Sequence, residues 1–299
     1  MSSDLRTGVF NALAAYFMWG LAPIYFKWIA HIAPGEILVH RIVWSFAFLI
    51  IVVVSIKHWS KVQAILRQPG LMLKLTGTAI LLATNWLLFI WAVTNDHILD
   101  ASLGYYINPL FSVALGVMFL GERLRRWQLV AVVLACTGVL VQLVTLGSVP
   151  VISLALAGTF GLYGLFRKQL AVDSFPGLLF ESAVLLPIAI IYWIFFVDSP
   201  TANMMVNDTN TNVLLIAAGI VTTAPLICFT IAAKRLTLSA VGFFQYIGPS
   251  MMFVLATYYY NEALVFEKLL TFAFIWTALV IFSLDSVKAQ KKKKQAKAG

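Results

Sequence analysis

Tyr106-Ile107-Asn108-Pro109 and Tyr246-Ile247-Gly248-Pro249 are the two stretches on which the fold turns. Thirteen residues past each proline stands a glutamate, Glu122 and Glu262. Ahead of the first, Leu103-Gly104-Tyr105-Tyr106 resembles Val241-Gly242-Phe243-Phe244 ahead of the second. Further upstream, Trp19-Gly20-Leu21 leads to Lys27 as Phe160-Gly161-Leu162 leads to Lys168. All these offsets lie between 138 and 141 residues, close to half of the 299-residue chain, so the sequence repeats itself once.

The residues around the repeats are 61% hydrophobic and 11% charged, with a mean hydropathy of +0.92. Soluble domains carry about 25% charged residues, and no soluble fold of this size hides so much apolar surface. Apolar runs of about 20 residues have the length that crosses a bilayer as a helix. Ten such runs are expected, at 9–29, 37–56, 71–93, 101–120 and 128–146, then 151–170, 177–197, 213–233, 240–260 and 269–284. The expected fold is an all-α membrane protein of ten transmembrane helices. Residues 8–146 form the first repeat, 149–285 the second, and 286–299 a basic tail. A soluble enzyme, a nucleic-acid-binding module and a disordered chain are excluded. The first run continues for about 20 residues without a polar stretch behind it, so it reads as a span and not a cleaved signal. Cys136 and Cys228 fall inside apolar runs, which argues against a disulfide or a metal site. The longest polar segment, 198–212, reads as a plain loop.

Lysine and arginine set the orientation. With the N-terminus inside, 18 of the 21 fall on the inner side, and only Lys27, Arg41 and Lys268 on the outer. Both termini are therefore expected in the cytoplasm, in a multi-pass protein of the inner membrane. The net charge of +9 speaks of topology and gives no reason to expect nucleic acid as a partner. The six tail lysines read as a topology anchor that frays in solution, with anionic lipid as a sharper alternative. Five spans per half is an odd number, so the second half starts on the opposite side and the repeats are inverted. Inverted repeats recur in secondary transporters, where exchanging the conformations of the halves gives alternating access.

Several stretches resemble the EamA family of the drug/metabolite transporter superfamily. They are Ala14-Ala15-Tyr16-Phe17-Met18-Trp19-Gly20, Asn85-Trp86-Leu87-Leu88-Phe89-Ile90-Trp91-Ala92-Val93, Gly104 to Pro109, Gly121-Glu122-Arg123, Ala218-Gly219-Ile220-Val221-Thr222-Thr223 and Gly242 to Pro249. The resemblance runs from about residue 8 to residue 284. It implies a ten-helix inner-membrane permease built of two repeats, for solutes among amino acids, metabolites and drugs. Gly121-Glu122 fits the family pattern after the fourth span, whereas the second half has Asn261-Glu262, so a different turn is expected there.

A charge at the bilayer centre costs roughly 2.5–3.5 kcal/mol, so ionisable residues inside spans are rare and point to function. Arg41 and Glu181 sit at equivalent repeat positions, 140 residues apart. Inversion puts Arg41 near the outer mouth and Glu181 near the inner one, too far apart for one ion pair. They read either as gate or substrate-contact residues or as side chains snorkelling to headgroups. His40 could take up a proton near neutral pH and joins them as a gate or coupling candidate. Glu122 and Glu262 precede the fifth and tenth spans, where a carboxylate completes a helix N-terminus.

Asn85, Asn108 and Gln245 are amides deep inside spans, where each needs a partner. Interhelical hydrogen bonding is one reading and substrate contact the other. Asn108 and Gln245 lie beside the two proline steps, which loosen backbone carbonyls near the midplane. Trp19, Trp86, Tyr106, Tyr163, Phe244 and Tyr246 also lie deep and could line a cavity, while Trp28, Trp59, Trp127 and Tyr260 read as interface belt. The expected substrate site is therefore Trp19, Asn85, Trp86, Tyr106, Asn108, Tyr163, Gln245 and Tyr246. No Walker A loop, HExxH, GxSxG or His/Cys cluster is present, so no catalytic residue, cofactor or metal is expected. The expected function is a secondary permease exporting a small organic solute. A translocase of lipids or lipid-linked head groups remains open, and so does an integral-membrane enzyme.

Overall fold

The computed structural model describes residues 3–95, 97–146, 150–259 and 266–298. The apolar runs become helices: α1 Ser3–Trp28, α2 Pro34–Ser55, α4 Pro69–Thr94, α5 Ile98–Leu120 and α6 Arg126–Leu146. The second half holds α7 Val151–Gln169, α8 Ser174–Phe196, α9 Thr209–Arg235, α10 Leu238–Gln245, α11 Ile247–Val254 and α12 Phe266–Ala298. A π-helical turn, Leu255–Tyr259, follows α11. A short helix, α3 Trp59–Leu66, lies between α2 and α4 and buries Val62 and Ile65, where the sequence promised only a loop.

Helix ends follow ordinary chemistry. Pro34 and Pro69 open α2 and α4, where a missing N–H costs nothing. Gly121 ends α5 in the left-handed region at φ 63°, which glycine adopts without strain. Asp208 caps α9 by accepting from the N–H groups of Asn210 and Thr211.

Among the described residues, nine helices are long and apolar enough to cross a membrane. The expected span at 151–170 is a helix but falls outside this set, because it is short, rich in glycine and closed by Arg167-Lys168. The basic tail, expected to fray, continues α12 as helix to Ala298, since lysine, alanine and glutamine are good helix formers. Burial is uneven. The apolar stretch of α9 is 56% buried against 28% for α4, α6 and α12, so α9 is central and the others face outward. Large apolar side chains such as Phe10, Val144 and Phe195 are exposed, as a lipid-facing surface requires.

The main helix pairs join the two halves of the chain. α5 packs on α7, and α1 on α11; α1 packs on α9, and α7 on α4; α2 packs on α9, and α8 on α4. Each pair in this series maps onto its companion when the halves are exchanged. The pairs α2–α8, α5–α10 and α6–α12 map onto themselves. At the α5–α10 crossing, a Cβ on Gly242 would stand 2.6 Å from the Pro109 carbonyl oxygen, so only glycine allows the approach.

Both proline steps stay helical. α5 runs through Pro109, and the ninth run passes from α10 to α11 through Tyr246, whose backbone keeps right-handed helical angles (φ −63°, ψ −15°). Both prolines lie about 17 Å along their runs, near the middle of an apolar layer about 30 Å thick.

Candidate functional site

Arg41 reaches from the second turn of α2 to the middle of α9, where its Nε donates to Thr222 Oγ1 at 2.9 Å. Its guanidinium carbon lies 4.7 Å from the Trp86 ring of α4 and 5.7 Å from the Phe26 ring of α1. Tyr25 and Tyr105 are close enough to feel its charge. Five helices thus converge on a half-buried cation between the last turn of α1 and the middle of α9. The cause is side-chain length and close packing: Gly219 lets the backbones of α2 and α9 touch at Trp44-Ser45, and Ser45 Oγ donates to Gly219 O.

Glu181 occupies the matching position in α8 and bonds the matching helix of the other half, α4. Thr78 Oγ1 donates to its Oε1 at 2.6 Å and the Tyr163 hydroxyl to its Oε2 at 3.2 Å. Arg167 Nη1 lies 3.5 Å from Oε1, and neither side chain of this pair reaches solvent. Arg167 had been counted among the inner loop charges; α7 instead carries it into the core, beside Gly177, whose missing side chain leaves room for the guanidinium. Arg41 and Glu181 form no ion pair with each other, as their expected separation requires.

His40 is wholly buried one residue from Arg41 but turns away from it. Its Nδ1 accepts from Trp44 Nε1 at 3.1 Å, its ring meets Trp193 edge-on at 4.9 Å, and Nε2 faces Glu36 Oε1 at 3.9 Å. Glu36, also buried, accepts from Thr201 Oγ1 at 2.9 Å and from Ser199 Oγ. The segment between α8 and α9 is therefore tied to the first turn of α2 and is no plain loop. Sequence reasoning missed Glu36 because Pro34-Gly35-Glu36 reads as an exposed helix start.

The amides and aromatic rings divide. Asn85 Nδ2 donates to Leu156 O and Thr159 Oγ1, both at 2.9 Å, and fastens α4 to α7. Gln245 Nε2 stands 3.4 Å from Ser112 Oγ, and Asn108 Oδ1 is buried without a partner among the described residues. Tyr246 is fully buried and donates its hydroxyl to the Tyr106 carbonyl at 3.2 Å, while the Tyr106 ring packs on Phe272. Tyr163 is fully buried too, stacked on Phe229. Trp19 joins Tyr16, Phe160 and Phe229 in one aromatic cluster, which Phe244 also contacts. Tyr163 and Tyr246 thus pack instead of lining open space, because a tyrosine hydroxyl inside a core takes the nearest acceptor.

Trp86 alone of the expected substrate residues borders the cavity between α2, α4, α8 and α9. That cavity holds about 20 Å³, room for roughly one water, and is also lined by Ser45, Glu181, Ser182, Thr223 and Leu226. Just past the end of α5, Glu122 accepts from Leu238 N at 2.5 Å, Ser239 N at 2.9 Å and Ser239 Oγ at 2.7 Å. It completes the N-terminus of α10 in the other half, and not that of the span which follows it. Lys168 Nζ donates to the carbonyls of Ala233 and Leu236, at the end of α9. Glu262 and Tyr260 lie outside the described residues. Among the described residues no cluster of metal-ligating side chains forms.

The model of the EamA-like transporter family matches residues 6–144. Protein RarD of Escherichia coli (strain K12) is 53% identical over 97% of this chain and 98% of its own length. The chain belongs to the EamA-like transporter family. Within reach of this EamA chain, the uncharacterized transporter YojE of Bacillus subtilis is 40% identical, covering 98% of both chains. The chloramphenicol-sensitive protein RarD of Pseudomonas aeruginosa is 29% identical, again over 98% of both. A solved protein structure with 17% identity superposes with a TM-score of 0.75, covering 93% of this chain and 98% of the other; it shares the fold. EamA membership and the apolar helices make this a multi-pass membrane transporter of the drug/metabolite transporter superfamily.

Proposed function

We propose that this EamA protein is a secondary permease that exports a small organic solute across the inner membrane by alternating access. Residues 8–146 and 149–285 act as two inverted five-helix repeats, with both termini in the cytoplasm. The observation that carries this reading is the helix pairing. Its main contacts run between the halves, and exchanging the halves returns the same set. Two interleaved units of that kind have two equivalent ways to close, one for each side of the membrane.

Cysteine accessibility tests it. In a variant lacking Cys136 and Cys228, Trp86→Cys should react with a membrane-impermeant maleimide from either face of the membrane. Bridging cysteines placed at Glu36 and Ser199 with a short bis-maleimide should then stop labelling from the outer face alone. Labelling from one face only in the unbridged protein, or from both faces after bridging, would refute alternating access.

A further inference from the structure

Arg41 and Arg167 both turn their guanidinium groups in among the packed helices, and of these two only Arg167 is neutralised. Arg167 has Glu181. Among the described residues Arg41 has no carboxylate within ion-pair distance, and the groups that feel its charge are the phenols Tyr25 and Tyr105. A guanidinium carries five N–H donors, and Arg41 uses one of them on Thr222. Trp86 and Phe26 flank the group, while its two Nη groups form no hydrogen bond among the described residues and, unlike those of Arg167, belong to a half-buried side chain. An Nη edge of this kind takes a carboxylate or phosphate through two parallel hydrogen bonds. Around it Trp86 and Phe26 supply apolar surface, the usual lining of a site for an organic molecule. No carboxylate faces the site from α1, α4 or α9 among the described residues.

We propose that Arg41 binds the oxyanion group of an amphipathic organic anion, whose apolar body lies against Trp86 and Phe26. Resting on the permease reading, this makes the transported class organic anions, carboxylates or phosphates, and disfavours zwitterions and cations.

The test is binding to the purified full chain in lipid nanodiscs, read by tryptophan fluorescence, with four probes of one size class: benzoate, phenyl phosphate, benzamide and phenylalanine. At least one of the two anions should bind about tenfold or more tighter than benzamide and phenylalanine, the scale of one charge-assisted hydrogen bond. Preference for benzoate assigns a carboxylate, and preference for phenyl phosphate a phosphate. Arg41→Gln should abolish the preference. Should that variant not fold, Arg41→Lys keeps the charge without the fork and should weaken anion binding while leaving benzamide unchanged. Equal binding of benzamide and both anions, or anion binding untouched in the Arg41 variants, overturns the proposal. Counterflow in proteoliposomes separates it from the reading beneath it. Benzoate binding without any counterflow would sink the permease and leave the Arg41 site standing. Benzamide counterflow undiminished in Arg41→Gln would do the reverse.

Discussion

Arg41 in α2 and Glu181 in α8 are the same position of the repeat, and each bonds a threonine on the corresponding helix of the opposite half, Thr222 and Thr78. Their surroundings nevertheless differ. Glu181 is sealed by Arg167, Thr78 and Tyr163, so its charge is balanced within the protein. Arg41 lies between aromatic rings, half-buried and without a carboxylate among the described residues. A duplicated scaffold can thus hold one charge as a structural tie and leave its counterpart available to a ligand. The desolvation cost is met internally in one half and by an outside group in the other.

The largest effect should come from breaking the sealed side. Glu181→Ala leaves the Arg167 charge buried and unpaired, which should cost about 3–5 kcal/mol in thermal or denaturant unfolding in detergent. Arg41→Gln removes one hydrogen bond from a half-buried site, and should change stability by no more than about 1 kcal/mol in the same measurement. Equal losses would mean that both charges are structural ties.

A smaller effect tests the end of α5, where the halves are joined by a cap. Glu122→Ala frees two N–H groups at the start of α10 and should cost about 0.5–2 kcal/mol of unfolding free energy. Glu122→Gln should recover part of that, since its one remaining acceptor still reaches the helix start.

The smallest effect concerns an exposed tie between α3 and the start of α8. Lys61 Nζ donates to Asp173 at 2.5 Å, and this bond holds the Asp173 carboxyl below its usual range. A depressed carboxylate adds stability above the unfolded value of about 3.9 and loses it as pH falls toward the folded one. Both side chains are about half-exposed, so the gain is a few tenths of a kcal/mol at most, after screening. Asp173→Asn should therefore unfold slightly more easily than the parent near pH 7, with the gap shrinking as pH falls below about 3.9. A gap that persists in acid would assign the effect to packing.

The spans were legible because a bilayer demands about 20 apolar residues, and most runs met that demand by composition alone. The run at 151–170 was harder to read, since its glycines serve packing on α5 and α9, and its Arg167 and Lys168 bond α8 and the end of α9. The site was legible only in part. Arg41, Glu181 and His40 stood out as ionisable residues inside apolar runs, and Trp86 as a deep aromatic. Their partners did not, because Thr222, Thr78, Arg167 and Glu36 have ordinary local surroundings, and the two threonines are drawn in from more than 100 residues along the chain.

Sequence by itself determined the all-helical membrane character, the internal repeat and the positions of the polar exceptions, since each of these depends on local composition and spacing. Tertiary structure alone decided which charge is neutralised and which is left open. It also decided that Glu122 caps a helix 116 residues away. A buried charge or an orphan N–H takes whichever partner packing brings within about 3 Å. That distance is set by how helices from opposite halves cross, which no stretch of sequence contains.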